Sequence, residues 1–219
     1  MMKISINEDI TGGKLCELMD FVIKRSNSLS VSRYYTGFLD VSEFKQMQDA
    51  YKEYIYKEDA KRRDDYKNNL NDYQIRINSM LHSDEGDDAN TYFEEILEQD
   101  LRMFEELQYD DFSKVPDNRF TCQSDEFIKT KYTRFTPVSM NPVFEMCFFQ
   151  IGQIGSSVTA KMIGLFDFPY RIDGVLFEDL TFYDENNIVL AVCSHERFAY
   201  LNMDESDFKA FRELGITYE

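Results

Sequence analysis

The hydrophobic pattern of this chain changes near Pro116, from helical spacing before it to strand-like runs after it. In the first part, apolar residues recur every three or four positions over residues 14–25, 42–81 and 91–107, which predicts three helices. In the second part, aromatic and β-branched residues gather in short, partly alternating segments that are typical of strands. Helices and strands segregated along the chain favour an α+β fold over a doubly wound parallel sheet.

The composition marks no linker between these two parts. The chain has 219 residues with nine glycines and four prolines, and its hydrophobic content of 43% is ample for a packed core. We therefore expect one two-lobed unit, with a mainly helical lobe over residues 1–115 and an antiparallel β-rich lobe over residues 116–219. A short strand at residues 3–6 should begin the first lobe, and a short helix at 204–214 with Gly215 behind it should close the second.

The β-rich part contains one clear hairpin and several further strand candidates. Residues 176–183 and 188–193 are apolar runs separated by Asp184-Glu185-Asn186-Asn187, which is a sequence typical of a turn. The other segments predicted to be strands are residues 119–122, 127–135, 144–151 and 198–203.

The segment 42–81 contains neither proline nor glycine, and Ser42 is a plausible N-cap. One continuous helix of about 60 Å is therefore conceivable, and a helical hairpin that turns within the highly charged stretch 57–65 is the alternative. Tyr51 and Tyr54 lie on one apolar stripe of this segment. Tyrosine suits both a core and a protein interface, so the sequence leaves both roles open.

Residues 84–111 hold twelve acidic residues and one base, a net charge of −11 within a chain of net charge −17. Thr91 and Glu94 fit a capping box that would begin the third helix, which we expect to pack antiparallel to the second. An ordinary solvated helix face mixes charges of both signs, so this excess favours an interaction surface. The acidic residues that we expect to bind a partner are Glu94, Glu95, Glu98, Glu105 and Glu106, with Asp87 and Asp88 at the edge of the preceding loop.

The charge balance also excludes several classes of function. Proteins that bind nucleic acid directly, or an anionic membrane, present clustered Lys and Arg, which this chain lacks. The N-terminus has no apolar segment typical of a signal peptide, and no apolar run is long enough to span a bilayer. The four cysteines are widely separated and read as reduced thiols, so we expect a cytoplasmic location.

Cys193 and His195 are the one place where nucleophile and base types cluster. On a strand they would share one face, but catalytic pairs are usually assembled from residues distant in sequence, and no third member or oxyanion hole is recognisable. The sequence therefore favours a core cysteine beside a locally hydrogen-bonded histidine. A cysteine nucleophile, or an acidic site for a divalent metal, remains the enzymatic alternative, and no cofactor or metal site is predicted.

The segment from Glu178 to Asn187, followed by Cys193-Ser194-His195-Glu196 and an acidic final helix, resembles the C-terminal segment of small acidic immunity proteins of bacterial polymorphic-toxin systems. The resemblance covers about the last fifth of the chain and consists of a succession of strand, turn, strand and helix. It implies a protein that neutralises a toxin by binding it.

From these observations we expect an acidic cytosolic protein that inhibits a basic protein partner by forming a stoichiometric complex. The partner would be a toxin, if the chain confers toxin immunity, or a nucleic-acid-handling effector, if it inhibits a defence system. In either role the acidic residues could bind by mimicking the phosphates of nucleic acid. The alternatives are the enzyme described above and a helical scaffold that forms a homodimer through residues 42–81.

Overall fold

The structure, a computed structural model, describes residues 2–69, 89–153, 158–167 and 170–219. It has the α+β fold that the sequence predicts. The chain divides into two compact units, of which the sheet unit comprises Met1–Thr36 and Asn118–Glu219 and the helical unit comprises Gly37–Asp117. The expected boundary near residue 115 corresponds to one of these junctions, whereas residues 1–36 belong with the sheet rather than with the helices because they supply two of its strands.

The sheet unit contains an antiparallel sheet of eight strands with the order β1-β8-β7-β6-β2-β4-β3, while β5 pairs with β6 beside this path. The hairpin predicted around residues 184–187 is confirmed as β6–β7, and the strands predicted at 127–135 and 198–203 are confirmed as β3 and β8. The strands are β1 (Met2–Ile6), β2 (Ser28–Tyr34), β3 (Phe127–Phe135), β4 (Met140–Gln150), β5 (Tyr170–Ile172), β6 (Val175–Asp184), β7 (Asn187–Cys193) and β8 (Phe198–Met203).

The sequence analysis missed β2, which pairs with β4 on one side and with β6 on the other. Its sequence alternates serine with Leu29 and Val31, and small polar residues on one face resemble a loop. Ser30 and Ser32 are nevertheless fully buried, where the Ser30 hydroxyl lies 3.1 Å from the hydroxyl of Tyr183. Alternation of apolar with polar residues is typical of a strand with one solvated face, whereas both faces of β2 are buried at residues 29–32.

Residues 119–122, predicted to be a strand, form no strand in the structure. The backbone N–H of Phe120 donates instead to the Glu145 carboxylate at 3.0 Å, and the Phe120 ring packs edge-on against Phe177 at 4.9 Å between centroids. The Phe120 N–H is therefore satisfied by a side-chain carboxylate rather than by the backbone carbonyl of a neighbouring strand.

Two helices of the sheet unit, α1 (Gly12–Ile23) and α5 (Glu205–Glu213), supply apolar residues to its core. The Phe21 and Phe211 rings meet edge to face at 5.9 Å. Gly215 has φ +61° directly after the C-cap of α5, so this left-handed position confirms its predicted role in ending the helix.

The helical unit contains α2 (Val41–Asn68), α3 (Ala89–Glu106) and α4 (Asp110–Ser113). Asp40, not Ser42, caps α2, in a capping box with Glu43, because the helix begins two residues earlier than an N-cap at Ser42 would place it. The predicted capping box at Thr91 is also wrong, since α3 already begins at Ala89. Residues 70–81 of the predicted long helix lie outside the described residues.

Helices α2 and α3 pack antiparallel, as expected. Tyr51 stacks with Phe104 near one end of the pair, and Tyr66 meets Phe93 at 5.5 Å towards the other. The charged stretch 57–65 takes part in this packing, because Arg62 donates to Asp100 of α3 at 2.8 Å.

Glu145 of β4 is fully buried and accepts hydrogen bonds from several donors of the sheet unit. The Arg33 guanidinium of β2 forms an ion pair with it at 2.5 Å, the Tyr132 hydroxyl of β3 donates at 3.2 Å, and the Phe120 N–H donates as described above. One carboxylate therefore joins three strands or segments that are distant in sequence.

We expect Glu145→Ala to lower the free energy of unfolding by about 3–5 kcal/mol, because it leaves the Arg33 charge and two further buried donors unpaired. Asp207→Ala is the matched control, since it also removes a carboxylate that pairs with an arginine Nε, but from a site where both side chains are about 30% exposed. It should cost less than about 1 kcal/mol. Denaturant unfolding measures both values, and equal losses would contradict this account of Glu145.

Candidate functional site

The five glutamates predicted to bind a partner, Glu94, Glu95, Glu98, Glu105 and Glu106, are all exposed on α3. At about 100° per residue they fall within an arc of about 120°, with Arg102 as the one base inside it. Among the described residues, only Glu98 of these five forms an ion pair, with Arg102 at 3.2 Å. We call these five glutamates the acidic face.

Asp100 belongs to the same acidic run of sequence, but it lies on the opposite side of α3. It is 9% exposed and pairs with Arg62. Helix α3 therefore separates a buried acid that has a basic partner from exposed acids that mostly have none.

Of the other residues predicted to bind a partner, the structure describes Tyr51 and Tyr54. Tyr51 is fully buried in the helical unit, so its place is in the core rather than at an interface. Tyr54 is half-buried and stacks on Tyr51 with an interplanar angle of 12°. Burial raises the pKa of Tyr54, with the Glu58 carboxylate adding to this effect. Asp87 and Asp88 lie outside the described residues.

A second group of polar residues lies in the sheet unit and joins Cys193 and His195 to Asp179. The ligand-type atoms of these three side chains all lie within 4.8 Å of one another. His195 Nδ1 is 3.8 Å from Cys193 Sγ and 3.9 Å from Asp179 Oδ1. The hairpin β6–β7 brings these residues near one another, because it pairs Thr181 with Ala191 and, further from the turn, the Ser194 N–H donates to Asp179 Oδ1 at 3.3 Å.

Asp179 was missed by the sequence analysis, because the predicted hairpin gives only its approximate position. Residues equally distant from a hairpin turn are cross-strand neighbours, and counting from the pair Asp184–Asn187 would place Asp179 opposite Val192. An irregularity between Phe182 and Tyr183 moves the register by one residue. This shift, and the burial of Glu178 and Asp179 inside the sheet, have no signature in sequence.

Asp179 has an unusual backbone conformation, with φ +54° in the middle of β6. The register of β2 against β6 shifts at this point, because Ser32 pairs with Glu178 but Ser30 pairs with Thr181. Such a bulge changes the direction in which side chains point. Asp adopts the left-handed backbone conformation more readily than most other residues that are not glycine. Two donors then hold the carboxylate, since the Ser139 hydroxyl reaches Oδ2 at 2.9 Å and the Ser194 N–H reaches Oδ1 at 3.3 Å.

Burial raises the pKa of the Asp179 carboxyl, while Ser139, Ser194 and His195 act in the opposite direction. Burial also raises the pKa of neighbouring Glu178, and the Asp179 charge adds to the effect. Both acids are almost completely buried. The same two carboxylates contribute, after burial, to the raised pKa of Tyr34. This part of the sheet unit therefore has a negative potential that His195 offsets in part.

Cys193 does not have the properties of a catalytic thiolate. Burial raises the pKa of its thiol to about 11, despite hydrogen bonds from the Glu196 backbone and the Ser139 side chain that lower it. A thiol nucleophile needs a depressed pKa and access to its substrate, and Cys193 is fully buried. The arrangement therefore does not support the enzymatic alternative in which Cys193 attacks a substrate.

No helix in the described part of the chain is long and apolar enough to cross a membrane. Comparison of the chain with protein-family models, with curated proteins and with solved structures finds no match.

We expect a thiol reagent at neutral pH to label Cys16 much faster than Cys193 or Cys147. Cys16 is exposed, whereas the other two are fully buried, and burial raises the pKa of Cys147 to about 12. A raised pKa keeps each buried thiol protonated, which lowers its reactive fraction. Mass spectrometry of the labelled peptides over time measures the order, and labelling of Cys193 ahead of Cys16 would restore the cysteine nucleophile as an explanation.

Proposed function

We propose that this chain is an acidic cytosolic protein that inhibits a basic protein partner by forming a stoichiometric complex. The partner would be a toxin or a nucleic-acid-handling defence effector, because such proteins present the basic surface that complements this chain. The exposure of all five glutamates of the acidic face, with Arg102 as the one base among them, is the observation that carries the proposal.

The electrostatic repulsion among the glutamates of the acidic face in the unbound protein supports this proposal. Like charges at i,i+4 spacing, as at Glu94 and Glu98, repel each other on an isolated helix. A basic partner would relieve that repulsion, speed the encounter and make it sensitive to salt. The free protein retains the face because the buried side of α3 is held by apolar packing and by the Arg62–Asp100 pair.

Charge density favours ordinary docking over mimicry of DNA by α3. The segment from Glu94 to Glu106 is about 18 Å long and carries five glutamates, one buried aspartate with its basic partner, and Arg102. The exposed net charge is therefore one negative charge per about 4–5 Å, whereas duplex DNA carries one per about 1.7 Å. The acids of α3 alone are too sparse to reproduce the phosphate backbone.

We expect Glu94→Lys, Glu95→Lys and Glu105→Lys together to weaken binding to the partner by at least tenfold, because the complementary charges become repulsive. The full chain would capture basic proteins from its native host at low salt. Each purified candidate would then be titrated by calorimetry for affinity and stoichiometry, and tested for inhibition of its own activity. Inhibition at one to one would support the proposed role.

The matched control reverses three exposed glutamates of the sheet unit, Glu8→Lys, Glu17→Lys and Glu213→Lys. It changes the net charge by the same amount, so the wild type and this control should bind with affinities within a few-fold of each other. If both triple variants weakened binding equally, the change in net charge alone would explain the loss of affinity, and the acidic face would have no specific role. Unchanged binding by the α3 variant would overturn the proposal.

A further inference from the structure

We propose that Asp179, Cys193 and His195 form a binding site for a divalent cation of the zinc type. The site belongs to the sheet unit and uses none of the residues of the acidic face, so it is independent of the function proposed above. It also differs from the acidic metal site considered from the sequence, because its ligands are one thiolate, one imidazole and one carboxylate.

The spacing of the three side chains matches what such an ion requires. Zinc binds sulfur at about 2.3 Å and nitrogen or oxygen at about 2.0–2.2 Å in tetrahedral sites, so pairs of ligand atoms lie about 3.3–3.7 Å apart. The observed distances from His195 Nδ1 are 3.8 Å to Sγ of Cys193 and 3.9 Å to Oδ1 of Asp179. A contraction of a few tenths of an ångström at these two pairs, together with closure of Cys193 Sγ on the Asp179 carboxylate from within 4.8 Å, would bring the three ligands around one ion.

The surroundings already orient these ligands. Ser139 and the Ser194 N–H fix the Asp179 carboxylate, as described above. Both ring nitrogens of His195 lie near Cys193 Sγ, Nδ1 at 3.8 Å and Nε2 at 3.9 Å. Nδ1 also lies 3.9 Å from Asp179 Oδ1, so Nδ1 is the nitrogen that would bind the ion.

Two buried polar atoms beside the cluster lack the hydrogen bonds that buried groups normally form. They are Glu178 Oε1 and Ser194 Oγ, which are without a partner in the described part of the structure. Glu178 is 4% exposed and adjoins Asp179 in sequence, so two carboxylates are buried next to each other with the partly exposed imidazole of His195 beside them. A bound divalent cation would supply the missing positive charge where it is needed.

The ligand set selects the class of ion. Hard cations such as Mg²⁺ and Ca²⁺ require oxygen ligands, whereas a thiolate with an imidazole suits Zn²⁺ and the related ions Co²⁺ and Ni²⁺. Binding would release the Cys193 thiol proton to solvent, because the ligand is the thiolate. Three protein ligands leave a fourth position, which a water molecule would fill to complete the tetrahedron.

Titration of the chelator-treated full chain with Co²⁺ tests the proposal, because a cobalt–thiolate bond produces a charge-transfer absorption band in the near ultraviolet. We expect saturation at one Co²⁺ per chain, loss of the band on adding one equivalent of Zn²⁺, and a higher melting temperature with Zn²⁺. Cys193→Ser and His195→Gln should abolish the band. Ser139→Ala should weaken binding by about 10- to 100-fold through the loosened Asp179.

Cys16→Ser and Cys147→Ser are the matched controls, one exposed and one buried, and both should keep the band and its stoichiometry. His195 has a side chain that is 37% exposed, so His195→Gln keeps the test decisive if Cys193→Ser fails to fold, and circular dichroism verifies the fold of each variant. Absence of the band in the wild type, its survival in folded His195→Gln, or its loss in Cys147→Ser or Cys16→Ser would each overturn the proposal.

Discussion

The backbone hydrogen bonds on both edges of β2 hold the sheet unit together. This strand joins β6 to β4, so it connects the hairpins of the C-terminal part of the chain to the β3–β4 hairpin, and the helical unit is inserted in sequence directly after it. The Arg33–Glu145 pair reinforces the β2–β4 edge from a buried side chain. A segment from the N-terminal part of the chain therefore completes a sheet formed mainly by the C-terminal part. Such pairing between residues far apart in sequence requires both parts of the chain to be present.

The same strand determines where the sheet carries polar chemistry. Ser30 and Ser32 line a face of β2 that is buried although it is polar, and the shift of register against β6 at this point accommodates the left-handed Asp179. Residues with a strained backbone conformation are kept in place by the packing and hydrogen bonds around them, and they often occur at functional sites. Here the strain turns a carboxylate towards Cys193 and His195, and the residues that hold it come from the β3–β4 turn and the β7–β8 turn.

Asp100 of the helical unit and Glu145 of the sheet unit are buried with an arginine partner, whereas Glu178 and Asp179 of the sheet unit are buried without one among the described residues. In the helical unit, the acids that are buried against α2 have arginine partners, as Asp100 has Arg62, while the acidic face stays in solvent where water screens it. In the sheet unit, Glu178 and Asp179 are buried with little compensation, which is costly unless another charge is supplied. An excess of negative charge on an exposed surface can be neutralised by a protein partner that binds reversibly. An excess of negative charge buried beside a thiol and an imidazole can be neutralised by a small cation.

The sequence by itself determined the α+β class, the β6–β7 hairpin and the exposure of the acidic face, because each follows from local periodicity, turn chemistry or the cost of burying charge. It left open whether α2 turns within residues 57–65, and the structure shows the helix continuous there. Only the tertiary structure decided that residues 1–36 complete the sheet, that Tyr51 is core, and that Glu145 is buried with Arg33. These depend on contacts between residues far apart in the chain, which periodicity does not encode. The group of Asp179, Cys193 and His195 lies between these cases. The predicted hairpin brings β6 beside β7, whereas the register shifts of β6 against β7 and against β2 decide that the Asp179 carboxylate meets the other two side chains.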